Sequence, residues 1–304
     1  MLFSSIISRL KEAQTIKKAY YKYLFALLLF GSNGIIASHI SLTSYEIVLL
    51  RTMIGSFLLF AIFLLTRGRF TFWHYKQQFL FLAMSGLAMG ASWMFLYEAY
   101  RQIGVSIASL AYYCGPVIVM VLSPLLFREK LTWSKNIGFL VVIFGIVLVN
   151  LQVFQEGKTG WGLFCGGMSA VMYALMVIFN KKARDITGLE NSTLQLVISF
   201  LTVAIFVGVR QGFVIRAFSG DVIWILILGL LNTGIGCYYY FSSIVHLPVQ
   251  TVAVCGYLEP LSAVVLSAVI LHEPMSMFQI CGAVMVISGA IIGESTSVKS
   301  AHRL

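Results

Sequence analysis

The sequence is poor in charge and in proline. Charged residues occupy 11% of the 304 positions, less than half the share of about 25% that soluble globular proteins carry. Five prolines interrupt the chain, and 59% of its residues are hydrophobic. These residues form repeated runs of about 20, the length of a helix that crosses the hydrocarbon layer. The composition therefore excludes a soluble enzyme and a nucleic-acid-binding protein and predicts an all-α polytopic membrane protein.

The cysteine and histidine patterns do not indicate a cofactor or a metal site. The five cysteines lie in apolar runs without a CxxC pair, where thiols behave as small hydrophobic groups. The five histidines are far apart in sequence, near the ends of apolar runs or in the tails. The chain also lacks a GxxxxGK[ST] loop, the motif that holds ATP phosphates. We expect no cofactor, no metal, no catalytic residues and no direct use of ATP.

The basic residues predict a topology. Ten apolar segments fit the length, and with a cytoplasmic N-terminus most Lys and Arg residues fall on the cytoplasmic side, as the positive-inside rule requires. We therefore place both termini in the cytoplasm, with residues 1–22 as an N-terminal segment and 294–304 as a tail. Attraction of this basic face to anionic lipids explains the net charge of +10 without a nucleic-acid partner.

A repeat divides the chain into two halves, 23–153 and 160–293. A shift of 144 residues aligns several identical residues that composition alone would not align. The matched pairs are Tyr113 with Tyr257, Pro116 with Pro260, Glu129 with Glu273, Gly138 with Gly282, and Gly145 with Gly289. Each half holds five predicted spans, an odd number, so the second half is inverted relative to the first. Inverted repeats are typical of secondary transporters, whose substrate site lies near the bilayer midplane.

Several motifs resemble the EamA family of the drug/metabolite transporter superfamily. These are FGSNG at residues 30–34, Arg51, and the two blocks in which Pro116 and Pro260 precede a glutamate. The resemblance extends over about residues 22–293. It implies ten transmembrane helices in two inverted five-helix repeats, in the cell membrane, moving amino acids, amines, other small metabolites or drugs, often outward. The chain departs from the family at Phe30, where tryptophan is usual, and at Glu98, so no known member's substrate is transferred to it.

Three ionisable residues within the predicted spans are candidate substrate-binding residues. Each is costly at the centre of a membrane helix and should face protein or water. Glu259 is the deepest, and it either binds a cationic group, carries a coupling proton or is a structural carboxyl. Glu98 either contacts substrate or pairs with Arg101 three residues later. Arg51 either binds a substrate carboxylate, pairs with Glu98 or extends its charge towards the surface.

Aromatic and polar residues complete the predicted site. Aromatic rings next to a carboxylate attract ammonium groups, which makes a binding role one reading of five aromatic residues and an interfacial role the other. The five are Trp93, Tyr97, Tyr112, Tyr113 and Tyr257. Asn33 binds either substrate or a neighbouring helix. Pro116 and Pro260 lie mid-span, where proline breaks the helical hydrogen-bond ladder, so we expect kinks that border a central cavity.

These observations predict a secondary transporter of small polar or amphiphilic metabolites, favouring amino acids or amines, with export as one direction. The two inverted repeats would give alternating access to a midplane cavity. A passive facilitator or channel and an exporter of cationic drugs remain alternatives. We expect a small-molecule substrate, anionic lipids and no nucleic acid as partners, in a monomer or a homodimer.

Overall fold

The computed structural model describes residues 2–103, 108, 111–128, 132–149, 160–212, 220–270 and 277–301. All regular structure in this part of the chain is helical. The helices are α1 (Leu2–Gly31), α2 (Asn33–Ser38), α3 (Ser44–Leu65), α4 (Lys76–Ile103), α5 (Cys114–Phe127), α6 (Trp133–Val149), α7 (Gly160–Lys182), α8 (Gly188–Gln211), α9 (Val222–Ile244), α10 (Val249–Gly256), α11 (Leu258–Ile270) and α12 (Met277–Ala301). The middle of α9, Leu228–Ile235, is wound as a π-helix.

The distribution of polarity is that of a membrane protein. Large apolar side chains face outward: Leu65, Trp133 and Val209 are 83%, 83% and 86% exposed. Polar side chains such as Ser85 and Asn180 are fully buried between helices. Water would penalise such a surface, whereas hydrocarbon accepts it because it offers no hydrogen bonds to polar groups. The chain is therefore embedded in a membrane.

The helix lengths support several membrane crossings. Among the described residues, α3, α4, α7, α8 and α9 are long enough and apolar enough to cross a bilayer. Stretches of α5, α6 and α12 form shorter apolar helices. Ten crossings remain a prediction, as do the predicted segment boundaries. The helix α1 runs through residue 22 without interruption, because no proline or glycine precedes its end at Gly31. Residues 150–159, which comprise the end of the first predicted repeat and the segment before the second, lie outside the described residues.

Two helices are interrupted at equivalent places. Tyr113 directly precedes α5 with φ −69° and ψ −4°, and Tyr257 separates α10 from α11 with φ −71° and ψ −6°. Each break lies three residues before a proline, Pro116 or Pro260. A proline nitrogen has no hydrogen to donate to the carbonyl four residues earlier, so the ladder is weakened at the residue before each break.

A third interruption lies at Ser32, between α1 and α2. It brings Gly31 against α11, where an added Cβ would come within 2.9 Å of the carbonyl oxygen of Glu259. Asn232 of the π-helix binds the interruption through its amide nitrogen, which donates to the carbonyl of Leu29 at 2.7 Å and to Ser32 Oγ at 2.8 Å. The interruption therefore depends on a glycine contact and on a buried amide.

Residues 144 positions apart make equivalent contacts. The helices α6 and α12 cross at glycines, where an added Cβ at Gly145 would lie 2.7 Å from the Gly282 carbonyl oxygen. An added Cβ at Gly289 would lie 2.6 Å from the carbonyl oxygen of Gly138. In the same way, α4 packs on α7 and α8 as its equivalent α9 packs on α1 and α3. These equivalent contacts support a two-fold relation between the halves.

Contacts between loops define two ends of the bundle. The first end, which we name the basic end, consists of loops 66–75, 183–187 and 245–248. There Glu190 accepts hydrogen bonds from the backbone N–H groups of Thr71 and Phe72 at 2.7 and 2.9 Å. At the opposite end, residues 39–43 and 220–221, Ser41 N–H donates to Asp221 at 3.1 Å. The helix α3 begins at the opposite end, whereas its equivalent α8 begins at the basic end.

Candidate functional site

An internal cavity lies between α1, α2, α3, α4, α7, α9 and α11. It holds about 50 Å³ of space for water. The lining residues are Phe30, Asn33, Arg51, Met89, Ser92, Trp93, Tyr112, Tyr173, Met176, Cys237, Tyr240, Phe241 and Glu259. Both halves of the chain contribute to this lining. The space suits a few water molecules but not a metabolite, so a substrate can enter only if lining side chains move apart.

Arg51 supplies the positive charge of the cavity. Its side chain is 3% exposed, and its Nε donates to Thr233 Oγ1 at 2.9 Å. The guanidinium lies 4.8 Å from the ring centroid of Trp93, and Nη1 is 3.4 Å from the hydroxyl of Tyr97. No carboxylate lies within 4.0 Å of it in the described part of the chain. A guanidinium has five N–H donors, so donors remain for a ligand.

Glu259 supplies the carboxyl group of the cavity. It lies in the first turn of α11, two residues after the interruption at Tyr257. Among the described residues it forms no ion pair, although Arg51 faces the same cavity. Unpaired charges inside a membrane protein cost several kcal/mol unless water or a ligand solvates them. The cavity therefore holds a basic and an acidic side chain that form no ion pair with each other.

Aromatic side chains surround the two charges. The hydroxyls of Tyr173 and Tyr240 are 3.2 Å apart, and the rings of Tyr112 and Tyr173 meet edge to face at 5.3 Å. Trp93 lies beneath the Arg51 guanidinium. Aromatic faces favour cations and apolar groups alike. This lining suits a ligand that carries both an ammonium group and an apolar part.

Asn33 both lines the cavity and supports the helix interruption next to it. Its Oδ1 accepts a hydrogen bond from Asn232 at 3.0 Å. The same Asn232 amide nitrogen binds the turn at Ser32. The amide nitrogen of Asn33 is left for a ligand or for water.

Four of the residues predicted from the sequence lie outside the lining. Glu98 is bound by Tyr45, by Arg101 at 3.1 Å and by Gln102 at 2.9 Å. The predicted pair of Glu98 with Arg101 is thus present, and the structure separates this carboxylate from that of Glu259.

The remaining three are tyrosines, Tyr97, Tyr113 and Tyr257, which lie outside the lining and contact residues next to the cavity. Tyr97 contacts Arg51, as described above. The hydroxyl of Tyr257 donates to the carbonyl oxygen of Tyr113 at 3.0 Å and so links the two helix interruptions. Their hydroxyl and ring contacts position neighbouring groups.

Several lining residues were not found by sequence reasoning. Tyr173, Met89, Met176, Ser92 and Phe241 carry no motif, and their place in the lining depends on how the halves pack. One signal was available for Cys237, because it is the 144-residue equivalent of Trp93. Both members of this pair line the cavity.

Comparison with known proteins establishes the family. The profile of the EamA-like transporter family matches residues 17–151 and again 160–293. The chain belongs to the EamA-like transporter family. The resemblance inferred from the motifs is confirmed, and the double match agrees with the repeat. As a member of this family, the chain is a membrane transporter.

Relatives of this EamA-like transporter cover most of its length. It is 25% identical over 296 residues to the "Uncharacterized transporter YxxF" of Bacillus subtilis, an alignment that spans 94% of this chain and 90% of the relative. An "Uncharacterized transporter" of Archaeoglobus fulgidus is 25% identical over 77% of this chain and 83% of its own length. A solved crystal structure aligns with a TM-score of 0.78 at 17% identity, covering 90% of this chain and 97% of that one. This last likeness shows the fold.

Proposed function

We propose that this EamA-like transporter is a secondary transporter of amino acids or amines, with zwitterionic amino acids as the preferred substrates. The observation that carries the proposal is the pair of unpaired opposite charges, Arg51 and Glu259, in one aromatic cavity. Arg51 would bind the substrate carboxylate in a charge-assisted contact, and Glu259 would bind its ammonium group. The apolar part of the substrate would lie among Trp93, Tyr112 and Tyr173.

The mechanism we infer is alternating access by ten transmembrane helices in two inverted five-helix repeats. Its support is the equivalence of contacts across 144 residues and the opposite directions of α3 and α8. The helix interruptions at Tyr113, Tyr257 and Ser32 surround the cavity and would act as hinges when it opens. Carriers with inverted repeats hold their substrate at broken helices near the midplane.

The membrane setting follows from the charge distribution. We place the protein in the cell membrane with the basic end, and hence both termini, in the cytoplasm. Anionic lipids would gather at this end, where Arg67, Arg69 and Lys182 lie. We also propose that transport is outward and that the protein is a monomer or a homodimer.

Transport by purified protein in liposomes tests the proposal. Each of the twenty amino acids is offered in radiolabelled form, and every transported one is compared with two competitors. These are the amine that lacks its carboxylate and the acid that lacks its ammonium group, for leucine 3-methylbutylamine and 4-methylpentanoate. We expect the amino acid to compete best. In Arg51→Gln the preference for the amino acid over the amine should disappear.

Each alternative has its own outcome. If the amine competes as well as the amino acid and Arg51→Gln does not affect it, the protein is a transporter of cationic compounds instead. Counterflow separates a carrier from a passive channel, because only a carrier accelerates uptake when unlabelled substrate is present on the other side. Absence of transport for all twenty amino acids would overturn the proposal.

A further inference from the structure

Gln195 is the repeat equivalent of Arg51. The two residues are 144 positions apart, in α3 and α8, and both side chains are buried. The equivalence extends to the starts of the two helices, where Thr43 precedes α3 and Thr187 precedes α8 as the N-cap residues. The two helices also bear a glutamate at the same place, Glu46 and Glu190. The shared spacing from these N-termini fixes the register.

The hydrogen bonds of Arg51 and Gln195 are also equivalent. Arg51 Nε donates to Thr233 Oγ1 at 2.9 Å, and Gln195 Nε2 lies 3.9 Å from the sulfur of Met89. Thr233 and Met89 are themselves 144 positions apart. Arg51 and Gln195 thus occupy corresponding places in the two halves, one reached from α3 and the other from α8.

The two residues differ in their access to the cavity. Arg51 lines it, whereas Gln195 lies outside the lining with Met89 between. Gln195 is fully buried in a polar cluster with Asn180 and Asn191. Asn180 Nδ2 donates to Asn191 at 3.0 Å and to Gln195 Oε1 at 3.3 Å. This cluster lies on the side of the cavity that faces the basic end, where α8 begins.

The polar cluster is poorly satisfied. Gln195 donates to a thioether sulfur, which is a weak acceptor, and the buried Asn180 Oδ1 has no hydrogen-bond partner among the residues that the structure describes. A buried amide without good hydrogen bonds destabilises a protein. A purely structural position would be better served by leucine or methionine.

We propose that Gln195 is a second substrate-contacting residue, used when the cavity faces the basic end. In inverted repeats, alternating access moves one half against the other around a shared site. Because the two halves make equivalent contacts, the second access state would exchange their conformations. The state described here has Arg51 in the lining and Gln195 covered. In the exchanged state Gln195 would line the cavity, and its amide N–H groups would bind the substrate carboxylate in place of Arg51. This inference rests on the proposed function.

The inference predicts a difference in affinity between the two sides. Arg51 carries a positive charge that attracts the substrate carboxylate in addition to its hydrogen bonds, whereas Gln195 is neutral and offers hydrogen bonds alone. The carboxylate should therefore be held more weakly when the cavity faces the basic end. If the basic end is cytoplasmic, KM for substrate presented from the cytoplasm should exceed KM for substrate presented from outside.

Sided transport kinetics test the inference. Radiolabelled uptake of a transported amino acid is measured in liposomes sorted for each orientation, for wild type, Gln195→Leu, Arg51→Leu and Gln195→Asn. We expect Gln195→Leu to raise KM from the basic side about tenfold, the loss of one hydrogen bond to a charged group, with KM from the other side little changed. Arg51→Leu should show the reverse. Gln195→Asn, which keeps the amide, should restore part of the loss.

Ser199→Ala is the matched control. Ser199 lies one turn further along α8 and is fully buried, and within the described part of the chain its hydroxyl has no hydrogen-bond partner. It should leave both KM values at the wild-type level. A Gln195→Leu variant that is fully active from both sides, or that raises both KM values equally, would overturn the inference. Absence of amino acid transport by wild type would instead overturn the proposed function.

Cysteine labelling gives a second readout that needs no transport. Gln195→Cys is introduced into protein whose native cysteines are replaced by alanine and is exposed to a membrane-impermeant thiol reagent. We expect modification from the basic side and none from the opposite side. Modification from neither side, in variant protein that is folded by size-exclusion chromatography, would contradict the proposal.

Discussion

Replacing Glu259 by glutamine separates its binding role from a structural role. Glu259→Gln keeps the size of the side chain and removes its charge. A hydrogen bond to a charged group contributes about 1.5–3 kcal/mol, and 1.4 kcal/mol corresponds to about tenfold in affinity. If Glu259 binds the substrate ammonium group, KM should rise about 10–100-fold. The assay is uptake of a transported amino acid into liposomes over a range of concentrations.

The melting temperature of the same variant should be unchanged or higher than that of wild type. The structure records no ion pair for the Glu259 carboxylate among the described residues. Neutralising a carboxyl group that lies inside the membrane without an ion pair in the described part of the chain removes a desolvation cost, so Glu259→Gln should melt at the wild-type temperature or above it. A carboxylate that served the fold would give the opposite shift.

Glu98→Gln is the matched control. Its carboxylate lies outside the cavity and is bound by Tyr45, Arg101 and Gln102. The exchange should lower the melting temperature, because these partners lose a charged acceptor, and should change KM by no more than about twofold. Equal KM for Glu259→Gln and wild type, or a larger KM effect at Glu98, would refute the assignment of the binding carboxylate.

Three further predictions concern packing, positioning and pH. Gly145→Ala should destabilise the protein by about 1–3 kcal/mol, because the added Cβ would lie 2.7 Å from a backbone oxygen. Gly167→Ala should not, because an added Cβ there would meet no atom within 4 Å among the described residues. Thermal melting in detergent compares the two variants. Thr233→Val removes the acceptor of Arg51 Nε and should raise KM for amino acids but not for amines. Thr233→Ser keeps the hydroxyl and should give the wild-type KM. Uptake in the presence of competing amino acids or amines measures both effects. Partial desolvation, with Lys181 and Lys22 nearby, lowers the pKa of His246, so the protein should lose stability as pH falls below the ordinary histidine pKa. Melting curves from pH 7.5 to 5.5 should show a smaller loss for His246→Asn, and an equal loss would contradict this role.

Much of the architecture was predictable from particular residues. The aligned glycines lie where α6 and α12 cross, at Gly145 and Gly289, because only glycine permits the two backbones to approach so closely. The prolines predict kinks, and the structure has helix interruptions three residues before each of them, at Tyr113 and Tyr257. The break at Ser32 was not predicted, since it depends on Asn232 from a distant π-helix.

The ionisable residues of the candidate site were easier to predict from the sequence than the uncharged residues that line the cavity. Charges inside apolar spans are visible in sequence, and Arg51 and Glu259 both line the cavity. The spacing of Glu98 and Arg101 indicated their pair, but the third partner of Glu98, Tyr45, comes from another helix and was not predictable. Tyr173 and Phe241 were missed because packing between the halves decides which face of a helix meets the cavity.

Thiol labelling of Cys237 tests the central claim most directly. This residue lines the cavity and is 1% exposed. The other four cysteines are replaced by alanine, and a small membrane-impermeant thiol reagent is added to one side of the liposomes at a time. A cavity that opens alternately to the two sides predicts modification of Cys237 from either side, slowed by a transported amino acid. Modification from one side only, or at a rate that the amino acid leaves unchanged, would contradict a shared substrate cavity with alternating access.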